Sequence, residues 1–533
     1  ECQPKNVEKA RVEVVNLVRQ FRLAKIPEAE LAKAKKQTLA AFVFGRQSVE
    51  QLAESLSSGY RNTGDPLFDA HYTSGIRNVR EAELGEVLRK YFQWPEPPLV
   101  AVIDPLDANV TRSTDTAKVD TSKVQKHTLP NGLTVLIRRS TAVPLVHMQC
   151  LVKGGLLAEA NEQNGLSNLT ADLMTRGTRK YAADQIAEFF DSIGGSIEST
   201  SGQHTTYVTC EALKEDFSTA FDYFAEVALR PTFPGKEFED RKEERLLAIG
   251  QRRADTFSEA AEFFHDQVPP ESYLHRIRGG RKETVTRLTA EDCKRFHAAW
   301  FVPRNMVVTV FGDVDPAQAL KLATEQFGTL KPVADFKFPV ARGFSLDQAK
   351  EVEKKTRRPD AAVIYMGFPS TSMFDHQENM ALIVLRTILT GYDGGGGWLF
   401  NDLRGAGLVY VITAMNRPTL VKGCFSVVAQ TRPDQVPEAL KRIKANLAKA
   451  AGGEFSDAEF NRAKEAILNG HARENETLTE QAMLAGIHEL VGLGFDFEDK
   501  FEEQLRAVTL ADVKTAARKL FDRGLVVTTG PAK

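Results

Sequence analysis

The chain has 533 residues, room for three to four domains at about 150 residues each, and needs no disulfide or metal staple to fold. Lys and Arg number 69 against 71 Asp and Glu, a formal charge of −2 that excludes the basic excess of a nucleic-acid or polybasic membrane-surface protein. Hydrophobic residues at 42% and charged residues at 26% are ordinary for a globular protein and exclude wholesale disorder.

No run of 18 apolar residues appears that would span a bilayer. The chain opens at Glu1 on charged, helix-patterned sequence, without an initiator Met or signal peptide. The expectation is therefore either that something was removed upstream or that this is a piece of a longer polypeptide. Five cysteines (Cys2, Cys150, Cys210, Cys293, Cys424) form no CxxC and no framework. Cys150 and Cys210 fall in strand-like runs that can neighbour each other, and free core thiols are the preferred reading.

Three segments repeat a helix running into a short strand. The first is Val79–Leu84, Tyr91-Phe92 and Leu99–Ile103; the second is Leu288–Cys293, Trp300-Phe301 and Met306–Gly312. The third is Val508–Val513, Leu520-Phe521 and Leu525–Gly530. Thr289 with Asp292, and Thr509 with Asp512, have the spacing of a capping box. Upstream helices containing Leu31, Phe238 and Phe460 also correspond, so a unit of about 210 to 220 residues occurs two and a half times.

In the second copy, strands are expected at His127–Arg138 and Val143–Val152, with Asn131-Gly132 as a hairpin signal. Helices follow at Gly165–Met174 and Ala183–Ile193, then strands at Ser196–Thr200 and Tyr207–Leu213. Helices fill most of Glu215–Trp300, and the strand at Met306–Phe311 closes the unit. The third copy echoes this with strands near Ala361–Gly367 and Gly423–Gln430 and long helices between Gln435 and Lys519. The fold class is α+β: tandem domains, each an antiparallel-dominated sheet covered by helices. The expected division is a truncated domain at 1–105, a linker at 106–125, a domain at 126–331, a linker at 332–348 and a domain at 349–533. Asp104–Lys123 reads as an exposed connector, and the more apolar Pro332–Gln348 is expected to lie against the domains it joins.

Ten histidines are scattered so that no helix presents a pair to zinc, and His376-Gln-Glu378 reads as a solvated helix entry. There is no G-x-S-x-G elbow. Gly394, Gly395, Gly396 and Gly397 lack the Lys-Ser/Thr of a phosphate loop and read as a flexible loop opening a helix at Trp398.

Leu129–Leu136, Val152-Lys-Gly-Gly155, Asn164–Met174, Arg176-Gly-Thr178 and Phe301–Gly312 are similar, in order and spacing, to the insulinase/pitrilysin (inverzincin) zinc metallopeptidase family. Ile388-Leu389, the glycine loop, Leu399-Phe400, Leu403-Arg404 and Gly407–Tyr410 resemble its C-terminal type of domain. The resemblance implies a long four-domain member, of which this chain holds half of domain two, domain three and domain four. The family's H-x-x-E-H motif falls on Asn168, Ala171 and Asp172, and its downstream glutamate near Leu247-Ala248, so zinc is not held here. Zinc is implied on an N-terminal half outside this chain, which would be the principal partner. Arg404 and Tyr410 match a substrate-binding pair, at a spacing of six residues rather than the usual seven, and the glycine loop a substrate loop. Two functions are open: the chamber wall of a zinc endopeptidase for peptides or unfolded proteins, inactive alone, or a non-catalytic structural subunit of a larger complex. A bacterial extracytoplasmic location accords with a long member, although no residue marks it.

Overall fold

The computed structural model describes residues 13, 16, 17, 26–44, 49–65, 68–91, 123–252, 255–333, 336–339, 341–356 and 361–531. Internal contacts divide the chain into Glu1–Asp115 with Glu188–Gly195, and Thr116–Ala187 with Ser196–Lys533.

The first unit carries helices α1 (Glu28–Phe44), α2 (Val49–Thr63), α3 (Phe68–Asn78) and α4 (Glu81–Tyr91). Tyr72 packs against Phe42 and Phe68 with centroids 6.2 and 6.1 Å away. At the entry of α4 the Glu83 carboxylate accepts from the Arg80 N–H at 2.8 Å, satisfying an otherwise free helix-start donor. The strand expected at Leu99–Ile103 and nearly all of the connector Asp104–Lys123 lie outside the described residues.

The second unit holds two sheets. The first contains β1 (Gln125–Thr128), β2 (Thr134–Arg139), β3 (Leu145–Lys153), β4 (Ser196–Ser201), β5 (Thr205–Leu213) and β6 (Met306–Gly312), in the order β1-β2-β6-β3-β5-β4. The second contains β7 (Lys350–Thr356), β8 (Ala362–Pro369), β9 (Val411–Arg417), β10 (Cys424–Thr431) and β11 (Leu525–Pro531), in the order β7-β11-β8-β10-β9. Thr128 pairs Thr134 across the turn that Asn131-Gly132 forms. The sheets are mixed: each closing strand runs parallel to its opening strand, β6 to β2 and β11 to β7. The long helical excursion before each closing strand brings the chain back in its starting direction, which a hairpin cannot do.

Between β3 and β6 lie α5 (Leu166–Met174), α6 (Ala183–Ile193), α7 (Phe217–Leu229), α8 (Gly235–Arg252), α9 (Thr256–Gln267) and α10 (Ala290–Trp300), and α11 (Pro316–Phe327) follows β6. The later part adds α12 (His376–Thr390), α13 (Val436–Gly452), α14 (Asp457–Glu474), α15 (Leu478–Val491), α16 (Phe501–Ala507) and α17 (Leu510–Leu520). The capping boxes at Thr289/Asp292 and Thr509/Asp512 form, and Ser456/Glu459 makes a third at the start of α14. The described linker residues pack inward: Phe344 is fully buried, and Phe336 and Phe338 sit against Trp300. Cys150, Cys210, Cys293 and Cys424 are buried free thiols, and desolvation pushes all four above the usual thiol range.

β3 is buried on both faces, its apolar residues interrupted by the buried His147 and Gln149. One face meets α7, whose Ala220 carbonyl lies 4.0 Å from Cys210 Sγ on the neighbouring strand. The other meets α15, which belongs to the later repeat. Ala482, Ala485 and Leu490 of α15 form one apolar cluster with Leu136, Leu151, Val307 and Phe311. A side chain on Gly486 would come within 2.6 Å of Leu151, so glycine is what lets this helix lie so close. Beside that seam is a polar one. His147 Nδ1–H donates to Glu211 at 3.0 Å, Gln149 Nε2–H donates to His147 Nε2 at 2.7 Å, and the Thr479 hydroxyl donates to Glu211 at 2.8 Å. This assignment of the imidazole tautomer follows from the network.

The exchange is reciprocal. α9, from the earlier repeat, lies on the second sheet, where Phe264 stacks on Tyr365 at 4.4 Å and clusters with Val268, Leu525 and Val527. A side chain on Gly367 of β8 would strike the Phe264 ring at 2.2 Å. Truncating Phe264 to Ala empties this contact, and urea denaturation is expected to show a loss of about 3–5 kcal/mol. Gly486→Val is expected to lower the urea midpoint as well, by forcing α15 off Leu151.

Candidate functional site

The helix that would carry a zinc motif, α5, is packed between α8, α10 and β4. Its start is fixed by a buried carboxylate that no sequence motif announces. Glu159 accepts from the Gly165 N–H at 2.9 Å, the Ser167 N–H at 2.8 Å, the Ser167 hydroxyl at 2.6 Å and Asn164 Nδ2 at 2.9 Å. Burial raises the Glu159 pKa, while these four donors work in the opposite direction. Asn164 in turn exchanges hydrogen bonds with the Ile277 backbone at 2.9 and 3.1 Å.

The three motif positions are not a metal site. Asn168 is buried and its Nδ2 has no partner; its amide oxygen is a poor substitute for the imidazole that zinc prefers. Ala171 is buried and has no donor atom. Asp172 is bound to the Arg245 guanidinium of α8. Ala248, where the downstream ligand is expected, lines the same pocket together with Arg241 and Glu244, which pair at 2.7 Å. A guanidinium thus occupies the carboxylate that a metal would need, and the residues do not fit zinc. Among the described residues no group of three or more His, Cys, Asp or Glu is arranged to hold a metal ion.

Arg404 and Tyr410 stand elsewhere, on a turn of the later repeat. The five residues Phe400–Arg404 form a π-helical turn that leads into Gly405-Ala-Gly407. Both Arg404 and Tyr410 are exposed, Tyr410 by 54%. Arg404 Nη1 donates to the Val409 carbonyl at 3.3 Å, and the Tyr410 N–H donates to the Gln430 carbonyl at 2.8 Å. These two bonds close the turn and set Tyr410 immediately before β9, the outer strand of its sheet. Asp402 anchors the turn to α13 through Arg442 at 3.0 Å and Asn446 at 2.8 Å. No hydrogen bond or ion pair joins this turn to Asn168 or Asp172 among the described residues.

The glycine loop leads into the same turn. Gly394 and Gly395 stand in open space, whereas a side chain on Gly397 would strike the Leu389 backbone at 2.5 Å. Trp398, directly after it, is clamped: its indole N–H donates to Glu459 at 2.6 Å, Phe455 stacks on it at 5.1 Å and Lys449 lies 3.8 Å over the ring. The other Glu459 oxygen caps α14 through the Ser456 N–H and hydroxyl at 2.9 and 2.6 Å.

Two outcomes follow from these networks. Burial opposes charge on Glu459, but Ser456, Trp398 and Lys449 hold its pKa down at about 2, against an ordinary 4.5. Its contribution to stability is therefore complete above 4.5 and is lost as pH falls from there towards 2. Tryptophan fluorescence followed over that range is expected to report release of Trp398, and Glu459→Gln should flatten the transition. Glu159→Ala strands four donors at the start of α5, and its thermal melt is expected to show a loss of about 2–4 kcal/mol.

Comparison with known proteins places these features. Residues 134–271 match the family model described as insulinase (peptidase family M16), and residues 287–467 match the one described as peptidase M16 inactive domain. An uncharacterised zinc protease of Streptomyces coelicolor is 26% identical over 405 residues, covering 75% of this chain and 88% of the relative. One from Bacillus subtilis is 23% identical over 409 residues, covering 75% and 96%. Among solved structures, a peptidase M16 inactive domain from Pseudomonas fluorescens superposes with a TM-score of 0.68 at 20% identity, over 77% of this chain and 98% of that one. A protease from Helicobacter pylori gives 0.70 at 21%, over 77% and 99%. With the paired repeats, the mixed sheets and the altered motif on α5, the chain belongs to the insulinase (M16) metallopeptidase family.

Proposed function

We propose that this chain is the non-catalytic half of a zinc metalloendopeptidase that cleaves peptides or unfolded proteins. It forms a wall of the substrate chamber and lends Arg404 and Tyr410 to a zinc site held by other domains, which would be its partner. The support for zinc elsewhere is chemical: the motif positions here are Asn168, Ala171 and an Asp172 engaged by Arg245.

The observation that carries the peptidase reading is the placement of Tyr410. Its side chain is exposed, its backbone is fixed, and it sits at the head of an outer strand whose far edge pairs with nothing among the described residues. An extended chain added to β9 by backbone pairing would pass this hydroxyl. The Tyr410 O–H can donate to the oxygen that gains negative charge as a peptide carbonyl becomes tetrahedral. The Arg404 guanidinium, held by one bond to Val409, has further N–H groups free to fork onto a substrate carbonyl or carboxylate. The open glycine loop gives the peptide backbone close access to the same turn.

The second reading, a structural subunit within a larger complex, draws support from the Asp172–Arg245 pair, which leaves no free carboxylate at that motif position. The two readings differ in one measurement. In the complete, zinc-bearing enzyme, Tyr410→Phe is expected to lower kcat about tenfold or more with a smaller change in KM. Unchanged kcat removes Tyr410 from the chemistry and leaves the structural reading.

A further inference from the structure

The C-terminal end of α15 meets a cluster of histidines that peptide cleavage does not use. Four of the chain's ten histidines gather there around one carboxylate, Glu498, in the short turn Phe497–Lys500. His471 Nε2–H of α14 donates to Glu498 at 2.6 Å, and His488 Nε2 of α15 lies 3.6 Å from the other oxygen. The His471 ring stacks on Phe501 at 3.7 Å. Phe497 meets both His488 and His376, the first residue of α12, at 4.8 and 4.9 Å. The fourth imidazole, His204, comes from the other repeat, in the turn between β4 and β5.

His488 and His204 each have a buried Nδ1 with no hydrogen-bond partner among the described residues. In the neutral ring that nitrogen can be the bare one. Protonation makes it a donor with nothing to receive it, which leaves an orphaned N–H in the interior. Neighbouring charges add to this cost. A charge on His488 opposes one on His204, charges on His376 and His471 oppose one on His488, and only Glu498 favours it. Asp499 and Lys500 of the same turn are exposed, and Glu489, beside His488, is engaged by Lys126 at 2.5 Å. Burial is the largest influence on both rings: it lowers His488 and brings His204 to about 4 from an ordinary 6.5. The stability that depends on the neutral rings is therefore complete above 6.5 and is lost as pH falls towards 4. The N-terminal end of α15 differs, because a proton gained by His147 meets the carboxylates of Glu211, at 3.0 Å, and Glu480.

We propose that this cluster is an acid-released latch between the two repeats, in which protonation of His488 and His204 drives the C-terminal end of α15 off the first sheet. Leu490, two residues beyond His488, belongs to the apolar cluster with Leu136, Leu151, Val307 and Phe311, so release of this end uncovers that face of the sheet. The latch needs neither zinc nor Tyr410. Its test therefore reads this chain alone and is independent of whether the complete protein cleaves peptides.

Hydrogen exchange with mass spectrometry on the full chain compares about pH 7 with about pH 5, a range above that in which Glu459 titrates. Labelling times are scaled for the intrinsic pH dependence of amide exchange. Peptides covering Gly486–Val491 are expected to exchange about tenfold or more faster at the lower pH, and those covering Leu478–Met483 to change less. His265 and His297 are buried as well, but each bonds a carbonyl and no other histidine acts on either, so variants at His204 and His488 isolate the cluster from them. The His204→Gln/His488→Gln double variant should abolish the excess at the C-terminal end, and each single variant should reduce it. Protection unchanged at the lower pH, equal acceleration at both ends of α15, or an undiminished excess in both single variants overturns the latch.

Discussion

The structure depends on an exchange of helices between two sheets. Each repeat leaves one face of its sheet bare, and the bare face is covered by a helix from the other repeat: α15 on β3 and β6, α9 on β8 and β11. Each repeat thus completes the other's core. Two glycines set the depth of the contact, Gly486 on the helix side of one junction and Gly367 on the strand side of the other. The bonds among His147, Gln149 and Glu211 lie within the first sheet, and the Thr479 hydroxyl adds direction to the apolar contact by tying α15 to them through Glu211. Among the described residues the outer strands β4 and β9 each pair on one side only, and the Arg404–Tyr410 turn leads into β9.

The site on α5 shows how a catalytic frame can persist without its chemistry. The carboxylate of Glu159 fixes the first turn, and α8 faces α5 across a pocket. The residues lining that pocket have changed in kind. Where the family needs two imidazoles and carboxylates free to bind a cation, this chain has an amide, a methyl group and a carboxylate that already holds its own cation, Arg245. Altering the pocket without altering the frame preserves the packing of α5, and with it the pairing of the repeats.

Much of this was legible in the sequence, for identifiable reasons. The capping boxes and the hairpin at Asn131-Gly132 are local signals, and the helix starts and the turn they announce form at those residues. The absence of zinc ligands at Asn168, Ala171 and Asp172 is likewise a matter of residue type. The strands β7 and β9 escaped notice because Lys350–Thr356 is charged throughout and Val411–Arg417 follows a glycine-rich turn, so neither gives a clean alternation of large apolar residues. The parallel pairing of closing and opening strands, the helix exchange, the Asp172–Arg245 pair and the Glu159 cap all join residues far apart in the chain. Pattern within a window does not carry such contacts.

The claim on which the functional account rests is that α5 has lost its metal while keeping its frame. Zinc content decides it most directly: the purified chain, equilibrated with zinc and freed of excess, is assayed by elemental analysis beside its Asp172→Asn variant. The structure predicts well under about one-tenth of a zinc per chain in both proteins, since the face offers no competent ligand set. One zinc per chain, lost in the Asp172→Asn variant, would contradict it.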